Sequence, residues 1–133
     1  MSADETVTRV EKPWGYELHW AKTDRYVGKL IHVNAGHALS LQYHVLKDET
    51  MYLHSGRLLL EIGPDVARPT KEMRPGDRVH ITPQTIHRIT ALEDCDVFEV
   101  STPELPAFAS GASTAPICRP AVVVRDRLWF SAC

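Results

Sequence analysis

Residues 36–56 read GHALSLQYHVLKDETMYLHSG, and this stretch decides how the chain folds. Side chains two apart in a strand share a face, so Ser40, Gln42 and His44 point one way while Leu41 and Tyr43 point the other. Lys47-Asp48 is a turn signal, and Glu49 stands where the next strand begins. An antiparallel return there brings its carboxylate toward His44. Further on, the turn Pro83-Gln84-Thr85 releases another strand that opens on His87. Two imidazoles, a carboxylate and an amide oxygen form a donor set suited to Zn, Mn, Fe, Co or Ni. Singly, a Gln or a His in a strand is more often a surface or hydrogen-bonded residue than a ligand. The case for a metal rests on the spacing of the whole set.

The same rhythm runs outward in both directions. Turn signals recur at Pro13, Asn34-Ala35-Gly36, Ser55-Gly56, Gly63-Pro64-Asp65, Arg74-Pro75-Gly76-Asp77 and Glu93-Asp94. Between them lie runs rich in Val, Ile, Leu, Tyr and Thr: Tyr26–Val33, Leu39–His44, Thr50–His54, Arg57–Ile62, Arg78–Ile81, His87–Ala91 and Val97–Ser101. Short strands at such intervals predict an all-β antiparallel sandwich or barrel. Only Met1–Glu11 and the C-terminal tail leave room for a helix, and neither carries a 3.6-residue period.

The chain has 133 residues, enough for one domain and too few for two. A net charge of −2 supplies no basic face for nucleic acid or an anionic membrane. No apolar run reaches the roughly 18 residues that would span a bilayer. The polar, acidic N-terminus reads as neither a signal nor a transit peptide. Cys95, Cys118 and Cys133 are widely spaced and odd in number, which predicts free thiols and a cytoplasmic setting.

The spacing resembles that of the cupin superfamily over about Lys12–Glu104. The first cupin motif appears as Gly36, five residues, Gln42, one, His44, four, Glu49, six, Gly56. The second is looser: Gly76, six, Pro83, one, Thr85, one, His87, three, Ala91, with Thr85 and Ala91 replacing the usual Gly and Asn. The resemblance implies a cupin fold, that is, a double-stranded β-helix or jelly-roll β-barrel. It divides the chain into an extension (1–11), a barrel (12–105) and an atypical tail (106–133). It also implies one divalent ion, Zn first, held by Gln42, His44, Glu49 and His87. Many cupins have His where this chain has Gln42, and Gln-x-His with Glu and His is similar to the set of cupin phosphomannose isomerases. Pro13-Trp14-Gly15-Tyr16-Glu17 and Leu39-Ser40-Leu41-Gln42-x-His44 resemble the same branch.

That branch implies an aldose–ketose isomerase acting on a sugar or sugar phosphate. Candidate catalytic residues are Glu49, Lys29 and Arg88. Lys29 shares the inward face of its strand with Ile31 and Val33 and matches a lysine of the resembled domains. Arg88 follows a ligand directly, so alternation turns it from the metal. Glu49 is a poor base if it ligates. A non-haem cupin dioxygenase and a non-catalytic sugar- or metal-binding cupin are the alternatives. His19, His32, His37, His54 and His80 read as structural. Cupins commonly pair through their outer sheets, so a homodimer is expected. After Leu105 the chain departs from similar small cupins: Ala, Ser and Pro precede the apolar Ala121–Val124 and Leu128–Phe130. These suit an extra strand, an ill-ordered extension or a dimerisation arm.

Overall fold

The structure is a computed structural model that describes residues 6–64 and 68–103 together with the backbone of residues 118–120. The tail's apolar segments, 121–124 and 128–130, lie outside the described residues, as do the side chains of Cys118 and Cys133.

The described residues fold into eleven strands: β1 (Thr8–Lys12), β2 (Gly15–Lys22), β3 (Val27–Val33), β4 (Gln42–His44), β5 (Glu49–Ser55), β6 (Leu58–Ile62), β7 (Thr70–Met73), β8 (Arg78–Ile81), β9 (His87–Ala91), β10 (Cys95–Ser101) and β11 (Cys118–Pro120). They form two antiparallel sheets, ordered β1-β2-β3-β10-β5-β8 and β11-β4-β9-β6-β7. Arg78–Ile81 and His87–Ala91 begin and end where the sequence predicts. The run Leu39–His44 is shorter as a strand, with only Gln42–His44 paired in the ladder. Its earlier part still follows β9, through Leu39 N–H to Ile89 O and an isolated bridge of Ala38 with Thr90.

The N-terminal stretch with room for a helix instead carries β1, paired throughout with β2. In β2 the usual pattern is inverted. Glu17 is buried while Trp20 on the opposite face is half exposed, so alternation is present but its polarity is reversed. The sheet thus begins at Thr8, ahead of the proposed barrel boundary at Lys12.

The two sheets close over a core of Ile31, Val33, Leu53, Leu58, Leu60 and Ile81. Each such side chain contributes roughly 1.5–3 kcal/mol when removed from water. Cys95 is fully buried beside this core, its thiol directed at the carbonyls of Arg57 and Glu93. Gly56 closes the β5–β6 turn at φ +85°, and a Cβ built there would lie 2.1 Å from the Asp94 carbonyl oxygen. Both the dihedral and the close approach require glycine. Gly56→Ala is expected to lower the unfolding free energy by about 1–3 kcal/mol, measured by urea denaturation.

Candidate metal centre and cavity

Three strand ends converge at one end of the sheet pair. His44 closes β4, Glu49 opens β5 and His87 opens β9, all three buried. Gln42 lies directly across the ladder from His87. The turn before β9 is held by Thr82 and Thr85 hydroxyls 2.9 Å apart, and by the Gln84 N–H donating to His44 O at 2.6 Å. Gln84 itself has φ +67°, a conformation uncommon outside glycine.

The donor atoms of His44, Glu49 and His87 all lie within 4.8 Å of one another. His87 Nε2 is 3.0 Å from Glu49 Oε1, and His44 Nε2 is 3.7 Å from the same oxygen. His87 Nδ1–H donates to the Thr85 carbonyl oxygen at 2.8 Å, which in the neutral ring makes Nε2 the lone-pair nitrogen. In that neutral tautomer a lone pair and a carboxylate oxygen face each other, a pairing that a cation between them would relieve. Neither His87 Nε2 nor Glu49 Oε1 has a hydrogen-bond partner, and His44 Nδ1 is likewise orphaned. Buried acceptors in this state carry a large desolvation cost unless a cation meets them. The donor set fits a divalent ion.

Electrostatics keep these groups ready to donate. Burial, opposed by the Glu49 carboxylate, lowers His44 to about 4, so its ring is neutral at pH 7. Burial alone would raise Glu49, but His87 and Lys47 outweigh it and hold the carboxyl well below its ordinary range.

A second feature was not legible in the sequence. Alternating charges cross the inner face of the six-stranded sheet, starting at Glu49. Lys47 Nζ is 3.2 Å from Glu49 Oε2 and 3.5 Å from Glu99 Oε2. Lys29 Nζ is 3.9 Å from Glu99 Oε2 and 3.6 Å from Glu17 Oε1, and Glu17 Oε1 meets His19 Nε2 at 2.8 Å. Ladder register produces this row, since Glu99 is opposite Lys29 and Lys29 is opposite His19. Burial, and then the Glu49 charge, push Glu99 up to about 7 against the pull of both lysines. Alternation places Glu99 inward with Val97 and Ser101. Phe98 and Val100, equally strand-like, occupy the other face, so the sequence alone leaves β10 free to present either side.

Burial would raise Glu17 too, but Lys29 and His19 bring it below its ordinary value. Such a carboxylate stabilises the fold above its unfolded pKa, and the contribution is lost as pH falls through the folded one. Glu17→Gln should therefore lose less thermal stability than the unaltered chain between pH 7 and pH 3, as read by circular dichroism melts.

The centre opens into a cavity of about 530 Å³, a volume that suits a small ligand. Ser40, Gln42, His44, Lys47 and Glu99 line it, and so do Lys29 and Arg88. Lys29 is held between two carboxylates, while Arg88 is clamped by Glu61 through contacts of 2.6 and 3.1 Å. His37 is exposed on the cavity wall. Away from it, His32 pairs with Asp96 at 2.7 Å, His80 pairs with Asp48 at 2.6 Å, and His54 packs edge-on against Phe98.

No protein-family model matches the chain, and no curated protein matches it. Solved structures do. KdgF from Halomonas sp. is 20% identical with a TM-score of 0.63, over 79% of this chain and 92% of that one. The capsular polysaccharide assembling protein CapF from Staphylococcus aureus is 19% identical with a TM-score of 0.63, over 73% of this chain and 28% of its own. Oxalate decarboxylase of Bacillus subtilis, as a single-substitution variant, is 14% identical with a TM-score of 0.62, over 72% and 27%. This chain thus spans about a third or less of CapF and of oxalate decarboxylase. The shared architecture is the cupin fold, as the first motif predicts. Among the described residues no helix is long and apolar enough to cross a membrane.

Proposed function

We propose that the chain is a metal-dependent isomerase that interconverts aldose and ketose forms of a sugar or sugar phosphate, in the manner of mannose-6-phosphate isomerases. One observation carries the reading: beside a buried His–Glu–His cluster, the cavity holds a separate carboxylate, Glu99, free of the donor set. Gln42, His44, Glu49 and His87 would hold the ion, Zn first, with Mn, Fe, Co and Ni suited to the same donors. A divalent ion there supplies Lewis acidity to the substrate carbonyl and its neighbouring hydroxyl.

The chain's residues supply the rest. Isomerisation moves one proton between adjacent carbons, and Glu99 is placed to take and return it. Glu49, the other candidate base, is committed to the donor cluster. Lys29, beside Glu99, offers positive charge to substrate oxygens as negative charge develops on them. Arg88, tied to Glu61, shapes the cavity wall and contacts a substrate's far end. CapF, a capsular polysaccharide assembling protein, puts the same fold in a carbohydrate setting.

The test is exchange of substrate C–H protons with deuterated solvent, followed by NMR across aldoses and their phosphates with metal-loaded protein. Exchange lost in Glu49→Ala and His87→Ala supports the reading. Full metal occupancy with no exchange from any sugar overturns it, and sugar binding without exchange would make this a binding module.

We further propose a cytoplasmic homodimer. Among the described residues the buried thiol of Cys95 has no disulfide partner, which agrees with a reducing compartment. The outer face of the six-stranded sheet carries half-exposed Trp20, Tyr52, Phe98 and Val100. Phe98 stands opposite Tyr52, and Val100 opposite Gly28, on which the Trp20 ring lies. Phe98→Asp is expected to convert a dimer into a folded monomer, read as a halved mass by light scattering.

A further inference from the structure

The two oxygens of Glu49 face different worlds. Oε1 looks toward His87 Nε2 at 3.0 Å and His44 Nε2 at 3.7 Å, and Oε2 faces Lys47 Nζ at 3.2 Å. Lys47 is itself 5% exposed, and it donates a hydrogen bond to Glu99 Oε2 at 3.5 Å. Burying an ammonium is costly unless it is paired, and two carboxylates pair it here. Its position, in the short link between β4 and β5, places it two residues before Glu49. No sequence motif for the donor set includes it.

From this division we propose that Lys47 is a positioning residue that makes Glu49 a one-oxygen donor and so sets which cation the centre accepts. This rests on the metal-centre reading above. With Oε2 neutralised by the ammonium, only Oε1 is presented to an incoming ion. Large, hard cations such as Ca²⁺ take six to eight oxygens and often both oxygens of a carboxylate. Two imidazoles with a single carboxylate oxygen instead suit smaller ions that accept nitrogen. Lys47 thereby excludes calcium by geometry and by charge together. Glu99 anchors Lys47 from the cavity side, so the device spans the metal centre and the substrate wall.

The test uses Co²⁺ as an optical probe, titrated into the metal-free full chain and into Lys47→Met, with Ca²⁺ as competitor. The unaltered chain should bind one Co²⁺ with a visible ligand-field band that excess Ca²⁺ does not displace. Lys47→Met should weaken Co²⁺ by about 10- to 100-fold, the usual cost of losing a group that orients a ligand. It should also change the band and admit Ca²⁺ competition, and Lys47→Arg should restore exclusion of Ca²⁺. Equal affinity, an unchanged band and no calcium competition in folded Lys47→Met overturn the proposal while leaving the metal centre intact. Absence of Co²⁺ binding by the unaltered chain overturns the metal reading and this one with it. Should Lys47→Met fail to fold, a metal-loaded crystal structure of the unaltered chain decides. Glu49 bound through one oxygen, with the other on Lys47, supports the proposal; chelation through both oxygens overturns it.

Discussion

Glu49→Gln is expected to abolish metal binding while leaving the metal-free chain folded. The amide matches the carboxylate in shape but removes the negative charge, and a neutral amide oxygen is a much weaker ligand. Its –NH2 group also gains a role, because it can donate to the orphaned lone pair of His87 Nε2, 3.0 Å from the present oxygen. The metal-free variant thus gains a bond at His87 but loses the charge that pairs buried Lys47 at 3.2 Å, so it should stay folded and melt somewhat below the unaltered metal-free chain. The contrast appears when metal is added. At a hundredfold excess over its dissociation constant, an ion bound only by the folded state adds about 2.7 kcal/mol. For a domain of this size that is a rise of roughly 10 °C in Tm. Calorimetry should show the rise in the unaltered chain and none in Glu49→Gln.

The second large effect concerns Glu99. Glu99→Gln keeps the side chain's shape on β10 and leaves every proposed donor in place, so metal content should be unchanged. Turnover should fall by about 10²- to 10⁴-fold, the range for losing a positioned acid–base group. Metal analysis beside solvent proton exchange checks both halves. A loss of metal would make Glu99 part of the metal-holding structure. Full exchange with full metal would remove it from the proton path.

Much of this architecture was legible in the sequence, and the misses have physical causes. Arg78–Ile81 and His87–Ala91 could be read because Pro and Gly bound them and their apolar residues face one way. β2 could not, since Glu17 turns inward and Trp20 outward, reversing the polarity that normally reveals a strand. Glu99 was hidden for a related reason. With Phe98 and Val100 apolar on one side and Val97 on the other, β10 has no hydrophilic face to orient it. His44, Glu49 and His87 announced themselves by spacing within two short motifs. The row Glu49–Lys47–Glu99–Lys29–Glu17 has no such spacing, because strand pairing assembles it from four separate strands and one loop. Only pairing register, which a single sequence does not print, places Lys29 against Glu99.

That strand order also fixes when the site can exist during folding. β3 pairs with β10 through contacts such as His32 with Asp96, 64 positions apart, and β4 pairs with the distant β9. Loops this long close slowly, so the chain gathers its local hairpins first and its inner wall last. A nascent chain leaving the ribosome holds His44 and Glu49 well before His87 and Glu99 emerge. An ion met early would find half a binding place, so on the proposed metal reading its acquisition is a late event that follows closure of the barrel.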